Sequence, residues 1–447
     1  MLARNSTFVA KRGAAAYAVK PKGSSSSDIK ISRLPNGLTV ASVDHGSAVS
    51  RLAVVFRAGS RYETADEQGV THHMRNAVGY DTKNFTGVQL LWQTGSAGAN
   101  LTATGTRDLF TVEVDVIRDQ APRALSLLGE MAAQPAFKHW ELADNTETLW
   151  VDRAYMREQP AEFVVDLLHK AAFRDGPLGN SLFAHDFNIG HVSHETLKKF
   201  AASRLVSGEA AIVGVNIDHG ELMAYAAEQA PIVSGQGLPP PTSKYIGGEV
   251  RQAARGSLAH VAVAGQGVGL SDAKALATQA VLAAALGTGP AVKYSNGVGS
   301  GLAAQAAQKA SNNYPFGISA LSAAHADTGL VGVYIVAHGE KVGALVKAAV
   351  SAFRGIAKSG INEEQINRAK RIAATNVLLN AECSKSLLED LAAQTLATGS
   401  AQSPTDFVKI IESVSATDVQ QAANKAVSKL SLAGYGKLDA TPYLDEL

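Results

Sequence analysis

Residues 69–77 read Gly-Val-Thr-His-His-Met-Arg-Asn-Ala, and the frame His72-x-x-Arg75-Asn76 has the spacing of a zinc-hydrolase helix with its chemistry altered. In the intact inverted motif, His-x-x-Glu-His, two histidines four residues apart share one helix face and bind Zn²⁺. The glutamate between them is the general base that activates water. Here His72 keeps the first ligand position, Arg75 stands at the base position and Asn76 at the second ligand position. A guanidinium cannot accept a proton at neutral pH, and a carboxamide is a poor zinc ligand beside imidazole or thiolate. His73 does not substitute for Asn76, because adjacent helical residues point about 100° apart. The plainer account of the same residues is a helix carrying two histidines, one partly buried and one wet. If the frame is right, the helix belongs to a hydrolase-like fold that has lost its base and a ligand.

The frame has to be supported by the elements around it. In the first half, residues 38–43 and 51–58 read as strands behind an Asn36-Gly37 turn. A helix over residues 64–78 carries His72. Paired strands follow at 100–106 and 109–117, then helices over 119–133, 138–158 and 162–173, a strand at 210–216 and a helix over 219–229. The second half restarts the series. It has strands at 249–253 and 257–264, a helix over 271–286, paired strands at 318–324 and 329–337, and helices over 341–356, 363–380 and 384–397. A last strand spans 430–435. Asn362 with Gln365 is a helix-start signature. Strand pairs alternating with helix pairs imply an α+β fold with largely antiparallel sheets faced by helices. We divide the chain into a leader (1–27), an N-terminal domain with the degenerate motif (28–234), a Pro-rich linker (235–244) and a C-terminal domain (245–447). Two such units joined by a stiff Gly-Leu-Pro-Pro-Pro spacer suggest a clamshell with an internal cavity.

Composition narrows the function. The 447 residues carry 41 Lys and Arg against 40 Asp and Glu, a formal net charge of +1, which argues against nucleic acid or an anionic membrane as the main partner. Charged residues make up only 18% of the chain, which favours large protein–protein contacts. Cys383 is the single cysteine, so no intrachain disulfide and no Cys-based zinc or redox site can form. Residues 275–292 are uncharged, but Thr278, Gln279, Gly287, Thr288, Gly289 and Pro290 make them too broken to span a bilayer. Residues 1–27 hold no acid, while Arg4, Lys11, Arg12, Lys20 and Lys22 are basic and Ser and Ala are frequent. That is the composition of a mitochondrial transit peptide, cut between about residues 13 and 20.

The residues then name a family. Arg33-Leu-Pro-Asn-Gly-Leu38, Ala58-Gly-Ser-Arg-Tyr-Glu63 and Gly69-Val-Thr-His72 resemble the opening of the pitrilysin and processing-peptidase superfamily of zinc metalloproteases. Within it, the chain is most similar to the core protein 2 family of mitochondrial ubiquinol–cytochrome c reductase (complex III). Further stretches run along nearly all of the chain beyond residue 27: 166–169, 245–249, Leu286-Gly-Thr-Gly-Pro-Ala-Val-Lys293, 327–334 and the final Asp-Glu-Leu. The resemblance implies two homologous pitrilysin-like domains. It implies a third zinc-ligand position, a glutamate in active relatives, which falls on Asp152 here. It also implies a substrate-holding Tyr and Arg in the second half; Tyr334 matches the first, read here as a cavity-lining strand residue, and Gly301 replaces the second.

Base, second ligand, third ligand and substrate arginine all depart from the active pattern, so no catalytic residue and no bound metal is expected. The implied role is a structural core subunit, peripheral on the matrix side of the mitochondrial inner membrane. It would pair with a core protein 1-like subunit and support cytochrome b, the cytochrome c-type subunit and the iron–sulfur subunit. Haem and iron–sulfur cluster would belong to those partners, because this chain has no cysteine cluster and no membrane helix to host them. Two alternatives stay open. One is the presequence-binding alpha subunit of the mitochondrial processing peptidase, against which residues 287–299 stand because they lack its long glycine run. The other is a cavity wall for an active zinc peptidase partner.

Overall fold

The computed structural model describes residues 28–287, Gly289 and residues 301–447. The leader and most of the 287–299 stretch lie outside the described residues. Two mixed sheets organise the rest. The first comprises β1 (Lys30–Arg33), β2 (Thr39–Val43), β3 (Val49–Phe56), β4 (Asn100–Gly105), β5 (Phe110–Ile117) and β6 (Ala210–Val215), in the order β1-β2-β6-β3-β5-β4. The second comprises β7 (Glu249–Ala253), β8 (Leu258–Gln266), β9 (Phe316–Ala324), β10 (Gly329–His338) and β11 (Leu430–Gly436), in the order β7-β11-β8-β10-β9. Apart from β1, the two orders coincide. In each sheet the last strand of the half inserts between two early strands, β6 between β2 and β3 and β11 between β7 and β8, parallel to the first of each pair and antiparallel to the second. The repeat read from the sequence is therefore a repeat of topology, and the fold is α+β with largely antiparallel sheets.

The helices of the first half are α1 (Val70–Asn76), α2 (Gly87–Ser96), α3 (Ala121–Ala133), α4 (His139–Asp144), α5 (Thr146–Arg157), α6 (Pro160–Phe173), α7 (His194–Arg204) and α8 (His219–Glu228). Those of the second half are α9 (Ala273–Leu286), α10 (Leu302–Ala310), α11 (Val342–Ser359), α12 (Glu363–Glu382), α13 (Ser384–Thr398), α14 (Pro404–Ser413) and α15 (Ala416–Val427). Each sheet is covered on both faces, which is why β6 and the middle of β8 are apolar without alternation. One face of the first sheet (Leu52, Val54, Phe56) packs on α3, α7 and α8. Its other face (Ala53, Val55, Val213) packs on Leu387, Leu388 and Leu391 of α13, a helix from the second half. The exchange is reciprocal: Phe163, Val164, Leu167 and Leu168 of α6 pack on Ala262, Ala264 and Ala433 of the second sheet. Each fully buried leucine in these layers contributes ~1.5–3 kcal/mol, so each half has a core of its own on one face of its sheet and shares the core on the other face with its neighbour.

Three expected helices are interrupted or begin with a 3₁₀ turn in the structure, and several others end a few residues from their expected bounds. The expected helix over 64–78 is a 3₁₀ turn at Ala65–Glu67 followed by α1, because Gly69 breaks it at φ 90°. A Cβ there would lie 2.6 Å from the Cβ of Ala184, so only glycine fits. The expected helix over 138–158 is split into α4 and α5 at Asn145, a weak helix former. Residues 118–120 form a 3₁₀ turn ahead of α3, where Pro122 sits at the helix start. Helices α2, α7, α10, α14 and α15 and the short strand β1 were not anticipated from periodicity. Asn362 does cap α12, its side chain accepting from the Gln365 N–H at 2.8 Å.

Candidate functional site: a degenerate metal centre

Helix α1 is short and held at both ends of its cross-section. Val70 and Met74 are buried in the first core. That orientation turns residues 72, 75 and 76 to the opposite side, against α5. The start of α1 is capped from outside: the Glu63 carboxylate accepts from the Gly69 N–H (2.9 Å), the Thr71 N–H (2.8 Å) and the Thr71 hydroxyl. Burial pushes the Glu63 carboxyl up to about 7, even against those hydrogen bonds.

The structure brings His72, Arg75 and Asn76 together with Asp152 of α5 on a single carboxylate oxygen. Oδ2 of Asp152 accepts from Nε2 of His72 at 3.3 Å, from Nδ2 of Asn76 at 3.0 Å and from Nη2 of Arg75. Asn76 Nδ2 also donates to the His72 carbonyl at 3.1 Å. The backbone N–H of Ala184 donates to Nδ1 of His72 at 3.2 Å. That contact fixes the tautomer: Nδ1 holds a lone pair, so Nε2 carries the proton it gives to Asp152. Burial lowers the His72 pKa, and the bond to Asp152 opposes it only partly, so the ring is neutral. The hydrogen bond from His72, then those from Asn76 and Arg75, hold the Asp152 carboxyl far below its usual range, and the carboxylate is ionised.

These groups do not fit zinc. Nε2 of His72 is spent as a donor, and Asn76 presents its NH₂ rather than its oxygen to the group. The place beside the carboxylate is taken by the guanidinium of Arg75, whose Cζ lies 5.1 Å from the centroid of Phe183. Asp152 alone keeps ligand character, and one carboxylate is not a three-ligand site. Arg75 thus supplies the positive charge that a metal would supply in an intact centre, and it brings no activated water. Among the described residues no group of three or more His, Cys, Asp or Glu side chains is placed to hold a metal.

His73 takes no part in this group. Its Nδ1–H donates to the Gly69 carbonyl at 2.8 Å, and its Nε2 is buried without a partner. Burial lowers its pKa to about 4. Tyr334, on β10, is also elsewhere. Its hydroxyl is 2.6 Å from Nδ1 of His260, burial pushes its pKa up to about 12, and it packs against the cluster that α6 forms with the second sheet. Gly301, at the start of α10, has φ 106°, and a Cβ there would lie 2.4 Å from Gly287 Cα. This backbone therefore admits no side chain at Gly301. Cys383 is exposed between α12 and α13. Sequence reasoning did not find Glu63, Phe183 or the Ala184 N–H. Phe183 packs edge-on to His72 with centroids 5.1 Å apart, from a loop that no local spacing links to α1.

Comparison with known proteins gives the family. The profile of the family described as "Insulinase (Peptidase family M16)" matches residues 39–186, and that of the "Peptidase M16 inactive domain" matches residues 191–373. The chain is 33% identical to the Homo sapiens "Cytochrome b-c1 complex subunit 2, mitochondrial", over 94% of this chain and 92% of that protein. It is 26% identical to an Arabidopsis thaliana "Probable mitochondrial-processing peptidase subunit alpha-1, mitochondrial", over 94% of this chain and 84% of that protein. Among solved structures, a chain of "Complex III2 from Candida albicans, Inz-5 bound" superposes with a TM-score of 0.81, covering 93% of this chain and 98% of that one at 20% identity, a likeness of fold.

Proposed function

This chain belongs to peptidase family M16, and from that membership we propose that it is a non-catalytic core subunit of the mitochondrial ubiquinol–cytochrome c reductase, of the subunit 2 type. The observation that carries the reading is the Arg75–Asp152 pair at the site where an active relative needs a base and a metal. Loss of a general base alone removes ~10²–10⁴ in rate, and loss of the metal removes the activated water as well. What remains is a low-charge, two-sheet body suited to assembly. In this role it pairs with a core protein 1-like subunit and supports cytochrome b, the cytochrome c-type subunit and the iron–sulfur subunit from the matrix side of the inner membrane. Electron transfer and proton translocation belong to the whole complex, with haem and iron–sulfur cluster on the other subunits. No helix among the described residues is long and apolar enough to cross a membrane, which supports attachment through partners.

The test is to purify the chain from its native membrane and alone, then measure copurifying cytochromes, zinc content and cleavage of a presequence peptide. Copurification with cytochromes, with no zinc and no cleavage by the isolated chain, is the expected result. Copurification with a soluble peptidase subunit instead would make it a presequence-binding alpha subunit. Stoichiometric zinc in the isolated chain would overturn the proposal.

A further inference from the structure

Helix α13 packs Leu388 and Leu391 on the first sheet, and its other side borders a cavity of about 470 Å³ within the second half, far from the degenerate centre in sequence. Helix α12 packs on α9 and on α14, and the cavity opens where these three helices face α13. Its volume lies in the range of small-molecule sites, roughly 300–1,000 Å³. One wall is apolar: Leu270 just ahead of α9, Leu276 within it, Val377 of α12 and Phe407 of α14. The facing wall is polar. Asp390, Gln394 and Thr398 of α13 are spaced four apart and share one side of the helix, and Glu389 stands beside them.

The charge of this lining has one sign. Glu389 and Asp390 line the cavity, and among the described residues no Lys, Arg or His does. The lysines of the flanking helices are engaged elsewhere. Lys274 of α9 lies 3.4 Å from Asp418, Lys409 of α14 lies 2.8 Å from Asp406, and Lys385 of α13 lies 3.4 Å from Glu113 and 3.9 Å from Glu389. Asp390 is open to water yet crowded by protein, the position of a group facing a cavity. Nε2 of Gln394 donates to its Oδ2 at 2.8 Å, and the Gln402 N–H, donating to Gln394 Oε1 at 2.8 Å, fixes which end of the amide meets the acid. An ionised carboxylate has about four acceptor sites, so one neutral donor leaves most of them free. Burial pushes the Asp390 carboxyl up, and the bond from Gln394 opposes it only partly; burial pushes up Glu389 as well. A cation beside the two acids would relieve both.

We propose that this cavity binds a small amphipathic organic cation, an amine whose ammonium group meets Asp390 and Glu389 and whose apolar body lies along Leu276, Val377 and Phe407. An ammonium carries three donors and no acceptor, which matches two carboxylates that have acceptor sites to spare. The apolar wall takes the rest of the molecule out of water. Other ligand classes fit less well. The two carboxylates repel an anion, and a neutral apolar molecule would cover them without supplying a partner. A bare metal ion would lack ligands, since no group of three or more His, Cys, Asp or Glu is placed to hold one among the described residues. The site makes no use of the core-subunit role and stands whether or not that role holds.

Dansylcadaverine, an apolar fluorophore joined to a primary amine by an alkyl chain, is the probe. It is titrated into the full chain at neutral pH and low salt, beside the same fluorophore on an alkyl chain with no amine. Expected is saturable binding of dansylcadaverine with blue-shifted emission, and binding of the neutral analogue about tenfold weaker. Asp390→Asn should weaken dansylcadaverine about tenfold and leave the neutral analogue unchanged, so the preference for the amine disappears. Ala381→Trp, which places a large side chain on the cavity lining, should weaken both probes. Absence of saturable binding, equal binding of the two probes by the wild-type chain, or an unchanged preference in Asp390→Asn would each overturn the proposal. If Asp390→Asn does not fold, Glu389→Gln and the wild-type comparison of the two probes decide the matter.

Discussion

Replacing Asp152 with asparagine should destabilise the chain by about 2 kcal/mol, and the structure shows where that figure comes from. Three donors converge on Oδ2 of Asp152. A hydrogen bond to a charged group contributes ~1.5–3 kcal/mol when buried. The Asp152 and Arg75 side chains are 31% and 19% exposed, so solvent screening reduces the ionic part to ~1–2 kcal/mol. An asparagine oxygen still accepts from the fully buried His72, so that bond is weakened and not lost. Arg75→Met should cost ~1–2 kcal/mol by removing the same ion pair, and the double variant should show a coupling of about 1 kcal/mol. Urea unfolding at neutral pH, followed by far-UV circular dichroism, measures these differences. The folded Asp152 pKa is depressed, so the wild-type advantage over Asp152→Asn is present above the unfolded carboxylate range and lost as pH falls through the folded pKa. If both single variants stay within about 0.5 kcal/mol of wild type, or the coupling is zero, these groups are independently solvated. The view that Arg75 replaces the metal's charge would then be wrong.

Rebuilding the centre with Arg75→Glu, Asn76→His and Asp152→Glu together should give about one zinc per chain by elemental analysis, while Arg75→Glu alone gives none. Glu63, raised to about 7, binds a proton more tightly when folded. Wild-type stability should therefore fall as pH rises from the unfolded glutamate range toward neutrality, and Glu63→Gln should flatten that slope in a melting-temperature profile. Gly301→Ala should lower the melting temperature, since a Cβ there lies 2.4 Å from Gly287 Cα at φ 106°; a cost of ~1–3 kcal/mol is expected. Leu388→Ala should cost ~2–5 kcal/mol in urea unfolding, because Leu388 is fully buried between α13 and the first sheet.

Much of this was legible in the residues. Much of the order of strands and helices followed from periodicity, because the chain writes one pattern twice, once in each half. His72, Arg75 and Asn76 could be placed on one helix face by spacing alone. That Arg75 cannot be a base and Asn76 is a poor ligand is a property of the residue types, independent of any fold. The helices that were missed have weaker signals: α2 turns Val88, Leu91 and Trp92 outward, against the usual amphipathic pattern. The break in α1 was hidden because Gly69 looks like any helix glycine until Ala184 is seen against it.

The sequence by itself thus determined the fold class, and that residues 75 and 76 are an arginine and an asparagine, neither a general base nor a good zinc ligand, since these depend on local pattern and on residue type. Only the tertiary structure decided what these residues meet. Asp152 meets His72, Arg75 and Asn76 because α5 packs beside α1, and Ala184 selects the His72 tautomer from a distant loop. The exchange of α6 and α13 between the sheets, and the contact of His169 with His325, 156 residues away, likewise join groups far apart in the chain. Such contacts arise from burial and hydrogen-bond satisfaction in three dimensions, which no spacing along the chain records.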